Sequence, residues 1–127
     1  MNKCVLDASA LLALLNNEPG ANEVEKVLSG SVISTINASE VIAELIKVNI
    51  APADGREMVY SIVSDIIPFT LDMAMETAAL RNQTTKFGLS LGDRACLALG
   101  MHLSLPIYTA DRIWKKLDFS RDIILIR

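Results

Sequence analysis

The chain has 127 residues, of which 51% are hydrophobic, and a formal net charge of −3. This length is typical of one domain with a substantial core, so we expect a single domain over residues 1–127. No apolar run approaches the roughly 18 residues of a membrane span, and the Lys near the N-terminus is followed directly by strand-like sequence. These features argue against a membrane protein and against a signal peptide.

The charge is unevenly distributed along the chain. Residues 1–80 carry 4 Lys and Arg against 11 Asp and Glu, whereas residues 81–127 carry 8 against 4. A basic final third beside an acidic pocket suits a polyanion. Ordinary scatter of surface charge explains the same distribution, and composition does not separate the two. The two cysteines lack zinc-site spacing and indicate free thiols in a reducing cytoplasm.

Hydrophobic periodicity and turn residues divide the chain into alternating strands and helices. In chain order, the first half is predicted to form a strand over 3–6, helices over 8–16 and 21–29, a strand over 32–36, and helices over 38–48 and 54–65. The second half is predicted to form a strand over 66–69, helices over 72–86 and 91–103, a strand over 107–109, a short helix over 112–117 and a strand over 123–126. This alternation predicts a doubly wound α/β domain: three α/β/α layers around a mostly parallel sheet of four to five strands.

Four acidic residues stand at or near the start of these helices: Asp7, Glu40, Asp93 and Asp111. Asp7 and Asp111 come directly after strands, and Glu40 follows one by about a helical turn. Parallel strands place such junctions at one edge of the sheet, where open α/β folds bind ligands. Carboxylates gathered there repel one another unless a divalent metal neutralises them, so the pattern favours metal-dependent chemistry.

Each acid also has an ordinary structural explanation. Asn37 to Glu40 and Ser90 to Asp93 both have the spacing of a capping box. Asp7 and Asp111 are suited to cap the helices that they precede, where the helix dipole favours negative charge. Asp93 does not follow a predicted strand. Spacing alone therefore leaves capping and metal binding both open.

The sequences around the four acids resemble the motifs of the PIN domain family, specifically its VapC-like toxin branch. They are VLDASALLALL at 5–15, ISTINASEV at 33–41, GLSLGDRACLA at 88–98 and YTADRIW at 108–114. All four occur in the family's order and extend over most of the chain. The third and fourth motifs together are highly specific, so the chain is identified by resemblance as a PIN-like protein.

The resemblance implies a Mg²⁺- or Mn²⁺-dependent ribonuclease that is the toxin of a VapBC-like toxin–antitoxin pair. It assigns catalytic and metal-binding roles to Asp7, Glu40, Asp93 and Asp111. Thr109 matches a hydroxyl that supports the acidic cluster, and Ser9 matches a hydroxyl often found two residues after the first Asp. Hard cations held by carboxylates polarise a phosphodiester and activate a bound water, so no Ser, Cys or His nucleophile is needed.

Several further residues have two interpretations each. Glu44 lies one turn after Glu40 on the same helical face, so it is a candidate to support the site, or else it pairs on the surface with Lys47. Arg94 and Arg112 directly follow site acids and are either solvated or in contact with RNA phosphates; Lys115 and Lys116 form a solvated face that also attracts RNA. His102, near a helix C-terminus, and Trp114, a packing residue, are not expected to be catalytic.

The resemblance also implies partners: RNA, a VapB-like antitoxin and a second copy of the chain in a homodimer. Apolar side chains in the predicted helices over 38–86 either pack on the sheet or line a groove for an amphipathic partner helix. They are Ile42, Ile46, Met58, Ile62, Met73 and Met75. The alternatives to a nuclease are an inactive PIN-like RNA- or protein-binding module and a phosphoacceptor receiver domain. The receiver is disfavoured because Ala8 follows Asp7, where that fold requires an acidic pair.

Overall fold

A computed structural model describes residues 1–119 and 122–127, and within them five strands form one parallel sheet. The strands are β1 (Cys4–Leu6), β2 (Ser31–Ser34), β3 (Asp65–Ile67), β4 (Ile107–Thr109) and β5 (Ile123–Leu125). Their order is β3-β2-β1-β4-β5, and every neighbouring pair is parallel. The predicted α/β fold with a parallel central sheet is therefore confirmed.

Helices cover both faces of this sheet. They are α1 (Ala8–Leu15), α2 (Ala21–Glu25), α3 (Thr35–Lys47), α4 (Pro52–Ile62), α5 (Leu71–Ala79), α6 (Arg81–Thr84) and α7 (Leu91–Leu103), with 3₁₀ turns at Thr85–Phe87 and Arg112–Lys116. In the part of the chain that the structure describes, no helix is long and apolar enough to cross a membrane.

The side chains of the central strands alternate between two cores, as the pleat of a strand requires. Leu6 and Ile33 point into one core, where they pack with buried residues of α1, α2, α3 and α4. Val5, Val32 and Ile107 point into the other, which contains residues of α5 and α7 together with Trp114. The sheet is therefore the middle of three layers, as expected.

The strand order creates a reversal between β1 and β4. From β1 the chain builds outward through β2 to β3, and then returns to the other side of β1 with β4 and β5. In open parallel sheets the crevice at the carboxyl ends of such neighbouring strands is where ligands bind. Asp7 follows β1 and Thr109 ends β4, so both borders of this crevice carry residues of the predicted site.

Helix α7 approaches β4 closely because it has a glycine at the point of contact. A methyl carbon at Gly100 would lie 2.6 Å from Cγ1 of Ile107, well inside normal contact distance. Both residues are buried, so the contact fixes α7 against the sheet. Asp93 lies in the first turn of the same helix, so this packing positions Asp93 near β1 and β4.

Some predicted boundaries were wrong for local reasons. The strand expected over 32–36 ends at Ser34, whose side chain accepts a hydrogen bond from the N–H of Ile36 and caps α3. The helix expected over 72–86 is divided into α5, α6 and a 3₁₀ turn. The hydroxyls of Thr77 and Thr84 in this segment donate to main-chain carbonyls one turn earlier, a bond that often bends helices.

The other differences are shorter. Helix α2 ends at Glu25 rather than at residue 29, and α4 covers 52–62 instead of 54–65 because Pro52 is well suited to its first turn. The helix expected over 112–117 is a 3₁₀ turn. The outer strands β3 and β5 are each one residue shorter than expected, and β3 begins one residue earlier. Helix α3 begins at Thr35 rather than at residue 38.

Candidate active site

Asp7 is the N-cap of α1, and it is buried, with 4% of its surface exposed. Its Oδ1 accepts a hydrogen bond from the N–H of Ala10 at 2.8 Å, so the predicted capping role is confirmed. The hydroxyls of Ser9 and Thr109 donate to the same carboxylate at 2.7 Å and 2.6 Å. Three donors therefore hold an acidic group inside the domain.

This burial changes the acidity of Asp7. Loss of hydration raises the pKa of Asp7 from its ordinary value of 3.8 to about 6, and the charge of Asp93 also raises it. The hydrogen bonds from Thr109, Ala10 and Ser9 act in the opposite direction but do not cancel the effect of burial. An acid in this state gains most from a neighbouring cation, which binds in exchange for the proton.

The end of β4 forms the opposite border of the site. The buried Thr109 accepts a hydrogen bond at its Oγ1 from the N–H of Asp111 at 3.0 Å, while Ser9 accepts one from the N–H of Ala110 at 2.9 Å. The two hydroxyl oxygens are 3.3 Å apart. Ser9 and Thr109 therefore connect the carboxyl ends of β1 and β4 through the carboxylate of Asp7.

Asp111 joins this network through its N–H, whereas its carboxylate caps the next turn. Its side chain is exposed, and its Oδ1 accepts from the N–H of Ile113 at 3.1 Å, so it caps the 3₁₀ turn that follows. The structural interpretation of Asp111 as a cap is thus confirmed. It lies two residues from Thr109, at the mouth of the crevice.

Glu40 is not part of a capping box, contrary to one of its two interpretations. The cap of α3 is Ser34, so Asn37 lies inside the first turn and Glu40 one turn further on. Asn37 Nδ2 donates to Oε1 of Glu40 at 2.7 Å and to the main-chain oxygen of Gly92 at 3.0 Å. Because Gly92 directly precedes Asp93, the carboxylate of Glu40 lies at the start of α7.

Asp93 does form the predicted capping box. Its Oδ2 accepts from the N–H of Ser90 at 2.9 Å, and its own N–H donates to the hydroxyl of Ser90 at 3.2 Å. The capping interpretation is therefore confirmed for this acid. The capping role does not remove Asp93 from the group of acids, because the charge of Asp93 also acts on the buried Asp7.

The thiol of Cys96, one turn after Asp93, lies near three of the acids. Cys96 is fully buried, and burial raises the pKa of its thiol well above the ordinary value of 9.0. The charges of Asp7, Asp93 and Glu40 raise it further. Three acids from three separate elements are thus near enough to act on the same buried atom.

These acids fit a divalent cation in chemistry but are not assembled around one. Within residues 1–119 and 122–127, no three His, Cys, Asp or Glu side chains lie close enough together to hold a metal ion as they stand. Asp93 and Asp111 are turned towards main-chain N–H groups. The donors are nevertheless all carboxylate oxygens, which Mg²⁺ and Mn²⁺ prefer.

The remaining predicted residues are Glu44 and four cations. Glu44 pairs with Lys47 at 2.8 Å and is half exposed, so the expected surface pair is present. Glu44 also lines the same groove as Ser9. Arg94 is partly buried, and three cations on the 3₁₀ turn are exposed: Arg112, Lys115 and Lys116. In the described part of the chain, none of these four cations has an acidic partner within 4.0 Å.

His102 and Trp114 behave as expected. His102 lies in the last turn of α7, where its Nδ1 is 3.3 Å from Oε2 of Glu76, far along the helix from Asp93. Trp114 is fully buried and belongs to the core, so it is a packing residue.

The expected partner surface is divided between the two interpretations. Met73 is buried and belongs to the core, whereas Met75 and Ile46 are exposed by 67% and 45%. The other three side chains are partly buried against the core: Ile42, Met58 and Ile62. The apolar helices thus supply both core and free surface.

Two site residues were missed in the sequence, namely Asn37 and Gly92. Both lie inside motifs that were recognised, but Asn37 was taken for a cap and Gly92 received no role. The available signal was an amide three residues before Glu40, on the same helical face, and a glycine inside the first turn of a helix, where it is otherwise unfavourable.

The chain is similar to known proteins both in sequence and in structure. A family model described as PIN domain matches residues 4–120. No individual curated protein matches the sequence. Among solved structures, DNA-bound VapBC from Salmonella typhimurium is 19% identical with a TM-score of 0.74, and each chain is covered completely.

Two further structures are similar over nearly the whole chain. The sarcin-ricin loop cleaving toxin VapC20 of Mycobacterium tuberculosis is 14% identical with a TM-score of 0.74, covering 92% of this chain and 96% of its own. FitAcB from Neisseria gonorrhoeae is 17% identical with a TM-score of 0.69, covering 97% of both chains. At these identities the likeness establishes a common fold.

Proposed function

The chain belongs to the PIN domain family, and we propose that it is a divalent-metal-dependent endoribonuclease, the toxin of a VapBC-like toxin–antitoxin pair. The observation that carries the proposal is the position of Asp7, Glu40 and Asp93. They come from three elements. Asn37 connects the carboxylate of Glu40 to Gly92, the residue before Asp93, and the charge of Asp93 acts on Asp7 at the end of β1. Capping alone does not require this convergence, and Glu40 caps nothing.

The residues of the site have different roles in this proposal. Asp7, Glu40 and Asp93 would hold the ion through carboxylate oxygens, with Asp111 at the mouth of the crevice completing the set. A bound Mg²⁺ or Mn²⁺ would supply charge neutralisation, polarisation of the phosphodiester and an activated water. Ser9 and Thr109 hold the carboxylate of Asp7 in one orientation by their hydrogen bonds. Single-stranded RNA loops are the proposed substrates, since their backbone can be drawn into a crevice.

Replacing Asp93 with asparagine tests this function without removing the cap. The asparagine oxygen still accepts from the N–H of Ser90, so the melting temperature should stay within about 2 °C, while Mg²⁺-dependent RNA cleavage should fall by more than about 100-fold. Asp54→Asn is the matched control, because Asp54 occupies the same third position of α4 and is exposed. Undiminished cleavage by Asp93→Asn would remove Asp93 from the site.

We further propose that the basic final third guides RNA to the crevice. Replacing Lys115 and Lys116 together with alanine, or Arg112 alone, should weaken RNA binding. The slope of log affinity against log salt should fall by about 0.7 for each cation removed, hence by about 1.4 in the double variant. Binding is measured in the Asp93→Asn background so that cleavage does not interfere. Lys26→Ala, on the acidic part of the chain, is the control. An unchanged slope in the double variant would show that the charge distribution is incidental.

The proposed partners are a VapB-like antitoxin and a second copy of the chain. A groove of about 390 Å³ between α1 and α3 begins at Ser9, beside Asp7, and is lined by Leu12, Leu45 and Val48 among others. An amphipathic antitoxin segment in this groove would cover the entrance to the site.

Val48 is 64% exposed, so Val48→Glu should prevent co-purification with the product of the neighbouring gene without unfolding the protein, whereas Tyr60→Glu should not prevent it. Light scattering over a concentration series tests the homodimer; a monomer throughout would exclude it.

A further inference from the structure

Asn37 connects the first turn of α3 with the first turn of α7. Only 1% of its surface is exposed, and both hydrogens of its amide are used, one on Glu40 and one on the main-chain oxygen of Gly92. Its own oxygen, Oδ1, is buried and has no hydrogen-bond partner among the described residues. Because a buried polar atom without a partner is destabilising, stability alone does not explain an amide at this position.

Gly92 provides the space into which Glu40 fits. A methyl carbon at Gly92 would lie 2.6 Å from the carboxyl carbon of Glu40, which is closer than real contacts permit. The backbone of Gly92 is not left-handed, and alanine is favoured over glycine inside helices. The close approach of the carboxylate therefore accounts for the glycine, as nothing in the local backbone requires it.

We propose that Asn37 is a positioning residue for RNA cleavage, which holds the carboxylate of Glu40 against the first turn of α7 in the space left open by Gly92. The inference rests on the proposed function, because it gives Glu40 a position beside Asp93 from which both acids can reach one cation.

The physical basis is the freedom of the Glu40 side chain. Glu40 has three side-chain torsions and lies on an exposed part of α3, so without a donor its carboxylate turns towards water. The bond from Asn37 is the one side-chain hydrogen bond to Glu40 in the described part of the chain. A carboxylate already held in place loses less conformational entropy when it binds a cation, so removing its support weakens binding without touching the ion.

The test is a double-mutant cycle on Mn²⁺ affinity, measured by calorimetry on the full chain. Asn37→Leu keeps the volume of the side chain and removes its donors, and it should weaken Mn²⁺ binding by about 10-fold to 100-fold. Adding Asn37→Leu to Glu40→Gln should cause no further loss, because a residue that acts through Glu40 has nothing left to position. Thr84→Val, which removes an equally buried hydroxyl far from the site, should leave Mn²⁺ affinity unchanged.

Gly92→Ala tests the same contact without altering Asn37. The added methyl group should displace the flexible carboxylate of Glu40 and weaken Mn²⁺ binding by about 10-fold, while the metal-free melting temperature stays equal or rises. Gly55→Ala is its control. Gly55 is a buried helical glycine, and the atoms nearest to its added methyl would be side-chain carbons of Ile42 and Leu45, at 3.3 Å or more, so Mn²⁺ affinity should not change.

The outcomes distinguish a failure of the positioning role of Asn37 from a failure of the proposed nuclease function. If Glu40→Gln weakens Mn²⁺ binding but Asn37→Leu and Gly92→Ala do not, or if the losses of Asn37→Leu and Glu40→Gln add in the double variant, the positioning role is wrong and the nuclease proposal stands. If Glu40→Gln itself leaves Mn²⁺ affinity and RNA cleavage unchanged, both are wrong. Should Asn37→Leu fail to fold, Gly92→Ala decides the question alone.

Discussion

Replacing Asp7 with asparagine is expected to lower RNA cleavage by more than about 100-fold and to raise the melting temperature of the metal-free protein at neutral pH. The first effect follows because the variant loses the charge of the most buried acid of the site. The second follows because that charge is unfavourable without a cation: burial raises the pKa of Asp7 to about 6. Loss of function and gain of stability should therefore occur in one substitution.

The gain in stability should depend on pH in a defined direction. Because the pKa of Asp7 is higher in the folded protein than its ordinary value of 3.8, the folded state binds the proton more tightly. The free energy of unfolding of the wild type should then fall as pH rises from about 4 to 6 and stay low above that range, by at most about 3 kcal/mol. The asparagine variant lacks this loss, but its amide fits the hydroxyl donors less well, so a net gain of about 1 kcal/mol, or a few degrees, is expected at pH 7.5.

Melting curves of both proteins at pH 4 and pH 7.5, with chelator and then with Mg²⁺, provide the measurement. The variant should melt higher only at pH 7.5 and only without metal, since Mg²⁺ stabilises the wild type by binding its folded state. Glu44→Gln is the control, because Glu44 is a half-exposed surface acid paired with Lys47. A variant that cleaves RNA normally, or that melts lower at pH 7.5 without metal, would contradict the role assigned to the buried charge.

The parts of this site that follow from single strand–helix junctions could be predicted from the sequence. Asp7 comes directly after the apolar β1 and before an Ala/Leu-rich helix, so its position at the sheet edge and its cap are both local consequences of the pattern. The capping box of Ser90 and Asp93 is likewise determined by a segment of four residues. Parallel pairing follows from the alternation of elements, since only crossovers through helices connect such strands.

The parts that depend on contacts between distant segments could not be predicted. Asn37 and Glu40 have the spacing of a capping box, but Ser34 caps the helix instead, which frees the amide of Asn37 to reach Gly92, 55 residues away. Periodicity also gives no means to tell Met73, which is buried, from Met75, which is exposed. Both distinctions are set by how α3, α5 and α7 pack, and local propensity does not contain that information.

Removing the hydroxyl of Thr109 should also have a large effect, because this hydroxyl is hydrogen-bonded to two groups of the site. It donates to Asp7 Oδ2 at 2.6 Å and accepts from the N–H of Asp111 at 3.0 Å, and Thr109 is fully buried. Thr109→Val keeps the shape of the side chain and removes both bonds, so it should lower the free energy of unfolding by about 1–3 kcal/mol. It should also impair cleavage, since the carboxylate of Asp7 loses one of the donors that orient it.

The direction of the pH effect distinguishes this prediction from simple destabilisation. The bond from Thr109 lowers the pKa of Asp7, so its loss should raise that pKa further above 6 and move the rise of cleavage with pH to higher values. Thr109→Ser retains the hydroxyl and should keep the wild-type pH profile, although it removes a buried methyl group and loses about 1 kcal/mol of stability. Carboxyl-carbon NMR titration of the metal-free proteins reports the pKa directly. If valine and serine at this position gave the same pKa for Asp7, the Thr109 hydroxyl would have no part in setting the charge of the site.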